Sequence, residues 1–372
     1  MIIRYLTLTL ICTYSLLCYG QKSDIKNRAI ETDTLGFKNV STLLVPIAFY
    51  SPETNFAFGG GGQMFFKTRR SNSQVLNSTI LASAIYTLNK QLIIEVQPQL
   101  YFNYENYFLD TKFRYKVFPN QFWGVGPSTP DLSEENYNQT EVSLSATFVK
   151  SLPSNVNFGF AFNFSDFNVT EIQEGGILDS GQIEGAKGAT LVGVGIVLNL
   201  DSRDNKFSPL KGGFYQFNTN FTSKTLGSSH SFNTYHIDLR KYLNLGNNNI
   251  LALQVYSRLT FGNSPFQAKA YYGGADVARG YFKGRYIDDH LYVVQMEYRL
   301  PIGRRWEVAA FALTGNVGHN ESGYGLFDDY KTSFGAGPRY FLYKNKRTLL
   351  RLDIGMNKDG QGGIYFGVNE AF

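Results

Sequence analysis

Few side chains in this sequence stand at spacings that support catalysis. The most suggestive pair is Ser229 followed directly by His230, because a serine nucleophile needs a base that takes its proton. Successive side chains of an extended strand point to opposite faces, so we expect these two side chains to face apart. The sequence also contains no Gly-x-Ser-x-Gly nucleophile elbow. We therefore predict that the protein is not an enzyme, with a lipase that uses a Ser-His pair as the enzyme alternative.

The sequence also contains few residue patterns that would bind a metal, a cofactor or a nucleic acid. Cys12 and Cys18 are its two cysteines, and His319, one of four scattered histidines, is expected in a solvated loop. The glycine run at 59–62 lacks the Gly-Lys-Ser/Thr ending of a phosphate loop. The net charge is +5, but Lys and Arg are spread along the chain without forming a basic patch. We predict no metal, no cofactor and no nucleic-acid partner.

The elements that would carry any site are strands with two contrasting faces. In "NFGFAFNFSDF" at 157–167, four phenylalanines from Phe158 to Phe164 share one face, and small or polar residues share the other. The same alternation recurs in "YHIDLRKY" and "LLRLDIGM", where Asp238 and Asp353 lie opposite the apolar face. Charged side chains on the non-apolar face of successive strands indicate a wet interior.

This inverted pattern is typical of outer-membrane barrels. Such barrels place apolar residues outside toward lipid, polar or small residues inside, and aromatic residues at the two interfaces. A soluble β-sandwich also alternates, but it buries its apolar face and seldom has so many Phe and Tyr on every strand. Between residues 42 and 372 the pattern predicts an all-β fold: a transmembrane antiparallel β-barrel of sixteen strands, with its longest connections on the extracellular side.

The first twenty residues have the features of a secretory signal peptide. Arg4 precedes an apolar stretch that ends at Gly20, and Leu17 before Cys18 disfavours a lipid anchor on that cysteine. No later stretch approaches eighteen consecutive apolar residues, which argues against a transmembrane helix. We predict a signal peptide at 1–20, a short periplasmic segment at 21–40 and an integral outer-membrane barrel at 41–372.

Three stretches resemble one family of membrane proteins. They are "DSRDNKFSPLKGGFYQ" at 201–216, "YYGGADVARGYFKGRY" at 271–286 with "MEYRLPIG" at 296–303, and the final "RLDIG...GGIYFGVNEAF". Together they resemble the BamA/TamA-like outer-membrane assembly proteins, also called bacterial surface antigens. The resemblance implies a sixteen-stranded barrel in which the loop after the eleventh strand folds into the lumen. It also implies that an aromatic last residue, here Phe372, is the signal for barrel assembly.

The loop that contains Arg279, Gly280 and Tyr281 is the main candidate site. Its glycines permit a sharp inward bend, and Arg279 offers five donors in a fixed fork that suits a carboxylate. Alternation points Glu297 and Asp353 inward, and the resemblance places both on the inner wall. We therefore predict a lumen latch in which Arg279 binds these two carboxylates.

Two departures from the family pattern limit the functional expectation. Family members typically carry an inward Asp on the thirteenth strand where this sequence has Leu313, so the latch must rely on the other carboxylates. The segment at 21–40 is also too short for the periplasmic POTRA domains that receive client chains in that family.

The expected function is to assist insertion or translocation of proteins or lipids at the outer membrane. Outer-membrane lipid is the expected surrounding, and a protein partner or client is expected, with the partner supplying the periplasmic client-binding function. A passive channel, or a structural subunit of a larger complex, is the alternative. Pro46 on the first strand lacks an N–H and would weaken the seam to the last strand, or it sits with its nitrogen facing away from that strand.

Overall fold

A computed structural model gives the fold of residues 38–67, 78–102, 106–319, 329–343 and 347–372. The predicted signal peptide and nearly all of the predicted periplasmic segment lie outside these described residues. Strands dominate the described chain, and none of its helices has the length and apolar character to cross a membrane.

Eighteen strands follow one another in the described part of the chain. The first nine are β1 (Lys38–Ser51), β2 (Asn55–Lys67), β3 (Ser78–Thr87), β4 (Leu92–Phe102), β5 (Tyr107–Phe122), β6 (Glu135–Leu152), β7 (Val156–Glu171), β8 (Gly188–Asp201) and β9 (Gly212–Thr222). The other nine are β10 (Phe232–Asn244), β11 (Ile250–Gly262), β12 (Ala270–Tyr272), β13 (Tyr286–Asp288), β14 (His290–Pro301), β15 (Trp306–Gly318), β16 (Lys331–Tyr343), β17 (Thr348–Asn357) and β18 (Gly362–Val368).

Sixteen of these strands close into one antiparallel barrel, as the sequence predicts. Each barrel strand pairs with its neighbours in chain order, β11 pairs with β14, and β1 meets β18. The short strands β12 and β13 pair only with each other, within the long connection from β11 to β14. This is the connection that the resemblance identifies as the inward-folding loop.

The register places the two faces of each strand as the alternation predicts. Phe160 on β7 pairs with Phe148 on β6 and Ile196 on β8, so these apolar side chains share the outer wall. Phe160 keeps 60% of its surface exposed, whereas the inward Asp238 on β10 keeps only 3%. An exposed apolar wall around a polar interior is the arrangement that lipid stabilises.

The two ends of the barrel differ in their connections. We call the end where β1 begins the turn end and the opposite one the loop end. The loop end carries the connections from β5 to β6, β7 to β8 and β11 to β14, and they contact each other: Gly126 donates its N–H to Ile287 O, and Phe266 donates its N–H to Glu184 O. Most turns of the turn end in the described chain are short. A longer one is 202–211, whose Asp204 pairs with Arg347 at 2.6 Å.

Candidate functional site

The loop between β11 and β14 reaches the inner wall at Gly280. This residue has a φ of +102°, and a Cβ added there would lie 2.8 Å from Cβ of Ser333 on β16. Left-handed backbone and close approach both require glycine. Across from it, Gly355 on β17 leaves similar room, since a Cβ there would lie 2.9 Å from Gly280 N. The two glycines therefore let the loop backbone lie directly on the barrel wall.

Arg279 is held by two carboxylates of the inner wall. Its Nη1 donates to Oδ2 of Asp353 at 2.6 Å, and its Nη2 lies 2.8 Å from Oε2 of Glu297. All three side chains are buried, with at most 1% of their surface exposed. The structure thus brings together the three residues that the sequence assigns to the latch. Their functional role stays a prediction.

Aromatic and apolar side chains also pack around the loop where it contacts the inner wall. The Arg279 guanidinium lies 3.6 Å from the ring centroid of Phe311, a distance that allows a cation–π interaction. Tyr281 belongs to a buried cluster that also contains Phe311 and Leu313. At Leu313, where the family typically has an inward Asp, this chain therefore contributes apolar packing against the loop.

Arg339 is a central member of the site that the sequence reasoning missed. Fully buried on β16, it hydrogen-bonds Asp353, and its Nη2 lies 3.2 Å from Oε2 of Glu297. Each carboxylate of the latch is therefore shared by Arg279, Arg339 and a third arginine, which is Arg299 for Glu297 and Arg351 for Asp353. The signal was present in the sequence, because alternation along "SFGAGPRY" puts Arg339 on the same face as the inward Ser333.

The last residues turn into the barrel and do not continue the final strand. β18 ends at Val368, Asn369 adopts a φ of +66°, and the chain turns inward. Continued alternation would put Glu370 on the apolar face with Val368, but after this turn it pairs with Arg339 at 3.3 Å. Phe372 is 4% exposed, and its carbonyl oxygen accepts from Arg299 at 3.2 Å. Its pocket is formed by Tyr242, Ile250 and Ala252.

The seam between the first and last strands is weakly paired. Tyr50 with Phe366 is the register pair that joins β1 to β18 in the described chain. By contrast, β1 pairs with β2 along nearly its whole length, and Pro46 faces Gly60 in that ladder. Pro46 therefore lies in the part of β1 that has no register partner on β18, and its effect on the seam stays a prediction.

Comparison with known families identifies the barrel. The model of the Omp85 superfamily domain matches residues 58–372. The chain belongs to the Omp85 superfamily. No curated protein matches the chain.

Solved structures share the fold of this Omp85 barrel at low sequence identity. BamA from Haemophilus ducreyi lacking POTRA domains 1–3 matches with a TM-score of 0.62 and 11% identity, over 89% of this chain and 70% of that one. CdiB from Acinetobacter baumannii matches with a TM-score of 0.55 and 12% identity, over 89% of this chain and 59% of that one. This chain thus spans about three fifths of the length of CdiB. Family and fold identify it as an outer-membrane β-barrel protein.

The Ser-His pair of this Omp85 barrel does not face apart as expected. Oγ of Ser229 lies 2.7 Å from Nδ1 of His230, whose Nε2 lies 3.2 Å from Oε2 of Glu184. The expectation was wrong because both residues precede β10 in a turn, where strand alternation does not apply. The Ser229 hydroxyl and its backbone N–H both donate to Thr190 O, so the pair ties the turn before β10 to β8.

His319 also joins a polar cluster of the Omp85 barrel at the loop end. Its Nδ1 lies 2.6 Å from Oδ2 of Asp289, and Asp288 lies close enough for the three side chains to share a metal ion. However, Lys269 Nζ already lies 2.6 Å from Oδ1 of Asp289. Burial alone would raise the pKa of Asp289, but Lys269, Ser264 and His319 together outweigh burial and hold this pKa below its usual range. A resident ammonium makes this cluster an ion pair that anchors the loop.

Proposed function

We propose that this Omp85 barrel assists the insertion or translocation of proteins or lipids at the outer membrane. The observation that carries the proposal is the weak seam. In the described chain, β1 and β18 are joined by one register pair, Tyr50 with Phe366. Neighbouring β17 and β18, in contrast, pair continuously from Leu350 with Val368 to Met356 with Gly362. Ladder hydrogen bonds are the main resistance to parting two strands, so the barrel wall is weakest where it must open toward lipid.

The latch loop contacts both sides of this seam. Gly280 donates its N–H to the Tyr365 hydroxyl on β18 at 2.9 Å. Three residues later, Lys283 donates its backbone N–H to Oε1 of Glu53, in the turn that follows β1, at 2.8 Å. Four residues of one loop therefore bridge the first and last strands. In the proposed function, the seated loop keeps the seam closed until a client or partner displaces it.

Disulfide crosslinking tests whether the seam must open. Tyr50→Cys with Phe366→Cys joins β1 to β18, in a chain whose native cysteines stand at positions 12 and 18 of the predicted signal peptide. Folding of a client barrel is then measured in liposomes that carry the oxidised or the reduced double variant. We expect oxidation to abolish the acceleration of client folding and reduction to restore it.

A matched control separates seam closure from general rigidity. Leu253→Cys with Met296→Cys joins β11 to β14 on the outer wall, away from the seam. Oxidation of this pair should leave client folding unchanged. If the oxidised seam variant stays fully active, lateral opening is excluded as the route.

The alternative function is a passive channel or a structural subunit of a larger complex. The charged inner wall favours it, because such a wall would conduct ions if the loop left the lumen. Swelling of liposomes in small solutes, without any effect on client folding, would favour this alternative. We propose no catalytic activity, and we propose that a partner protein, recovered by pull-down from native outer membranes, supplies the periplasmic client-binding function.

A further inference from the structure

Three cations lie at the turn end, two on the outer wall and one in a turn, each beside a tyrosine. Lys150 on β6 pairs in register with Tyr107 on β5, and both share the outer face with the Phe148 ring. Lys241 on β10 also lies on the outer face, because it follows Leu239 by two residues, and it pairs with Gly213.

Lys241 and Arg305 are the second and third cations, and each also lies beside a tyrosine. A Cβ at Gly213 would lie 2.6 Å from the Tyr215 hydroxyl, so this tyrosine folds over the glycine that faces Lys241. Arg305, in the turn before β15, donates Nη1 to the Tyr340 hydroxyl at 3.3 Å. The Tyr340 ring packs against Trp306, with centroids 4.9 Å apart, and Trp306 is half exposed on the outer wall.

Carboxylates do not neutralise these cations within the described chain. The nearby acids of the turn end are engaged elsewhere: Asp201 pairs with Arg203, and Asp204 pairs with Arg347. Lys150 and Lys241 have no ion-pair partner among the described residues, and both are exposed. The turn end therefore presents unpaired positive charge on the side that faces lipid.

We propose that these three cation–tyrosine pairs bind the phosphate groups of anionic phospholipids in the periplasmic leaflet. Short turns of outer-membrane barrels face the periplasm, and their aromatic girdles lie at the level of the headgroups. Long basic side chains at the edge of an apolar wall extend toward that level and keep their charge in the polar layer. An ammonium or guanidinium beside a phenol hydroxyl supplies the charge-assisted donors that a phosphate oxygen accepts. An acidic protein would need these groups to point into the periplasm, whereas the register points Lys150 and Lys241 along the membrane.

The test uses Trp306 as a local reporter of the Arg305 site, and Trp306→Phe combined with Phe158→Trp or Leu239→Trp moves the reporter beside Lys150 or Lys241. Trp123→Phe leaves the reporter as the single tryptophan, since the sequence has two. The protein is reconstituted into phosphatidylcholine vesicles that contain increasing fractions of brominated phosphatidylglycerol, which quenches a tryptophan that it contacts. A parallel series uses brominated phosphatidylcholine. The three-site variant adds Lys150→Gln, Lys241→Gln and Arg305→Gln to the same background.

We expect phosphatidylglycerol to be enriched beside Trp306 by at least about fivefold over phosphatidylcholine, the effect of one cation near an anionic surface. The enrichment should fall with added salt and disappear in the three-site variant. A control with Lys187→Gln and Lys224→Gln, exposed cations of the loop end, should keep it. Equal quenching by both lipids would overturn the proposal, as would an enrichment that the three-site variant retains. If instead soluble poly-glutamate binds the reporter protein and not the three-site variant, while the lipids quench equally, the surface fits an acidic protein.

Discussion

Nη1 of Arg279 lies 2.6 Å from Oδ2 of Asp353, and this contact joins the loop after β11 to the inner wall of β17. Both side chains are buried, and 74 positions separate them in the sequence. The bond is therefore a tertiary contact that exists only when the loop is seated. It identifies the substitution that most directly tests the latch.

Replacing Arg279 with Met should release the loop. The change removes one of the positive charges that balance the buried carboxylates of Glu297 and Asp353. Removing one partner of a buried ion pair costs about 3–5 kcal/mol of folding stability. Unfolding in urea should report this loss, and trypsin should cut faster after the exposed Lys283. Arg114→Met is the matched control, because Arg114 and Glu95 keep 30% and 17% of their side-chain surface exposed, and a pair open to solvent should contribute at most about 1 kcal/mol. Equal effects of the two variants would contradict the latch.

Tyr365→Phe should weaken the attachment of the loop to β18 while the aromatic ring of residue 365 keeps its packing. The substitution removes the oxygen that accepts the N–H of Gly280, and an unsatisfied buried donor costs about 1–3 kcal/mol. Trypsin cleavage after Lys283 should accelerate, but less than in Arg279→Met. Tyr235→Phe on the outer wall should leave cleavage unchanged. A Tyr365→Phe protein as resistant as the wild type would show that this bond does not hold the loop.

Deleting residues 270–285 should open the lumen to ions. The intact loop places Tyr272 and Tyr281 in a buried cluster with side chains of the inner wall. We therefore expect small conductance from the intact protein in planar bilayers and a marked increase after the deletion. A large, steady conductance of the intact protein would favour the passive channel.

Acid should loosen the loop end through Asp289. Its pKa is lowered in the folded protein, so its contribution to stability is fully present above the unfolded pKa of about 3.9 and is lost as the pH falls through the lower folded value. When the pH drops below about 4, the midpoint temperature of unfolding, measured by circular dichroism, should decrease. Lys269→Met should reduce the part of this fall that Asp289 causes, whereas Lys224→Met should not. Superimposable pH profiles for Lys269→Met and the wild type would remove Asp289 as the cause.

Phe372→Ala separates two roles of the final residues. As an assembly signal, Phe372 should matter before the barrel closes, so the variant should reach the outer membrane poorly. As a core residue against Ile250 and Ala252, it should matter afterwards, because removing a buried phenylalanine costs about 3–5 kcal/mol. Ile250→Ala damages the same pocket without touching the signal. If both variants lose stability equally and assemble equally well in cells, the signal role fails.

Local alternation let the sequence predict most of the architecture and part of the site. A period of two along each strand is a local property. It therefore predicts that Phe160 faces outward and Asp353 faces inward without any knowledge of how the strands pair. The glycine-rich stretch around Arg279 and its inward carboxylate partners could be predicted in the same way, with the family resemblance assigning the loop. Closure of these strands into a barrel then follows, because an open sheet leaves backbone groups unpaired in lipid.

Only the tertiary structure decided how buried charges meet. Arg339 and Glu370 pair because the chain leaves β18 at Asn369, where a left-handed residue ends the alternation. Ser229 and His230 approach each other for a similar reason, since a turn replaces the strand that would have kept them apart. Distances between side chains far apart in sequence depend on the closure of the barrel and on the path of its loops. No periodicity within a single strand contains that information, and so the sharing of Glu297 between Arg279 and Arg339 appears only in the folded barrel.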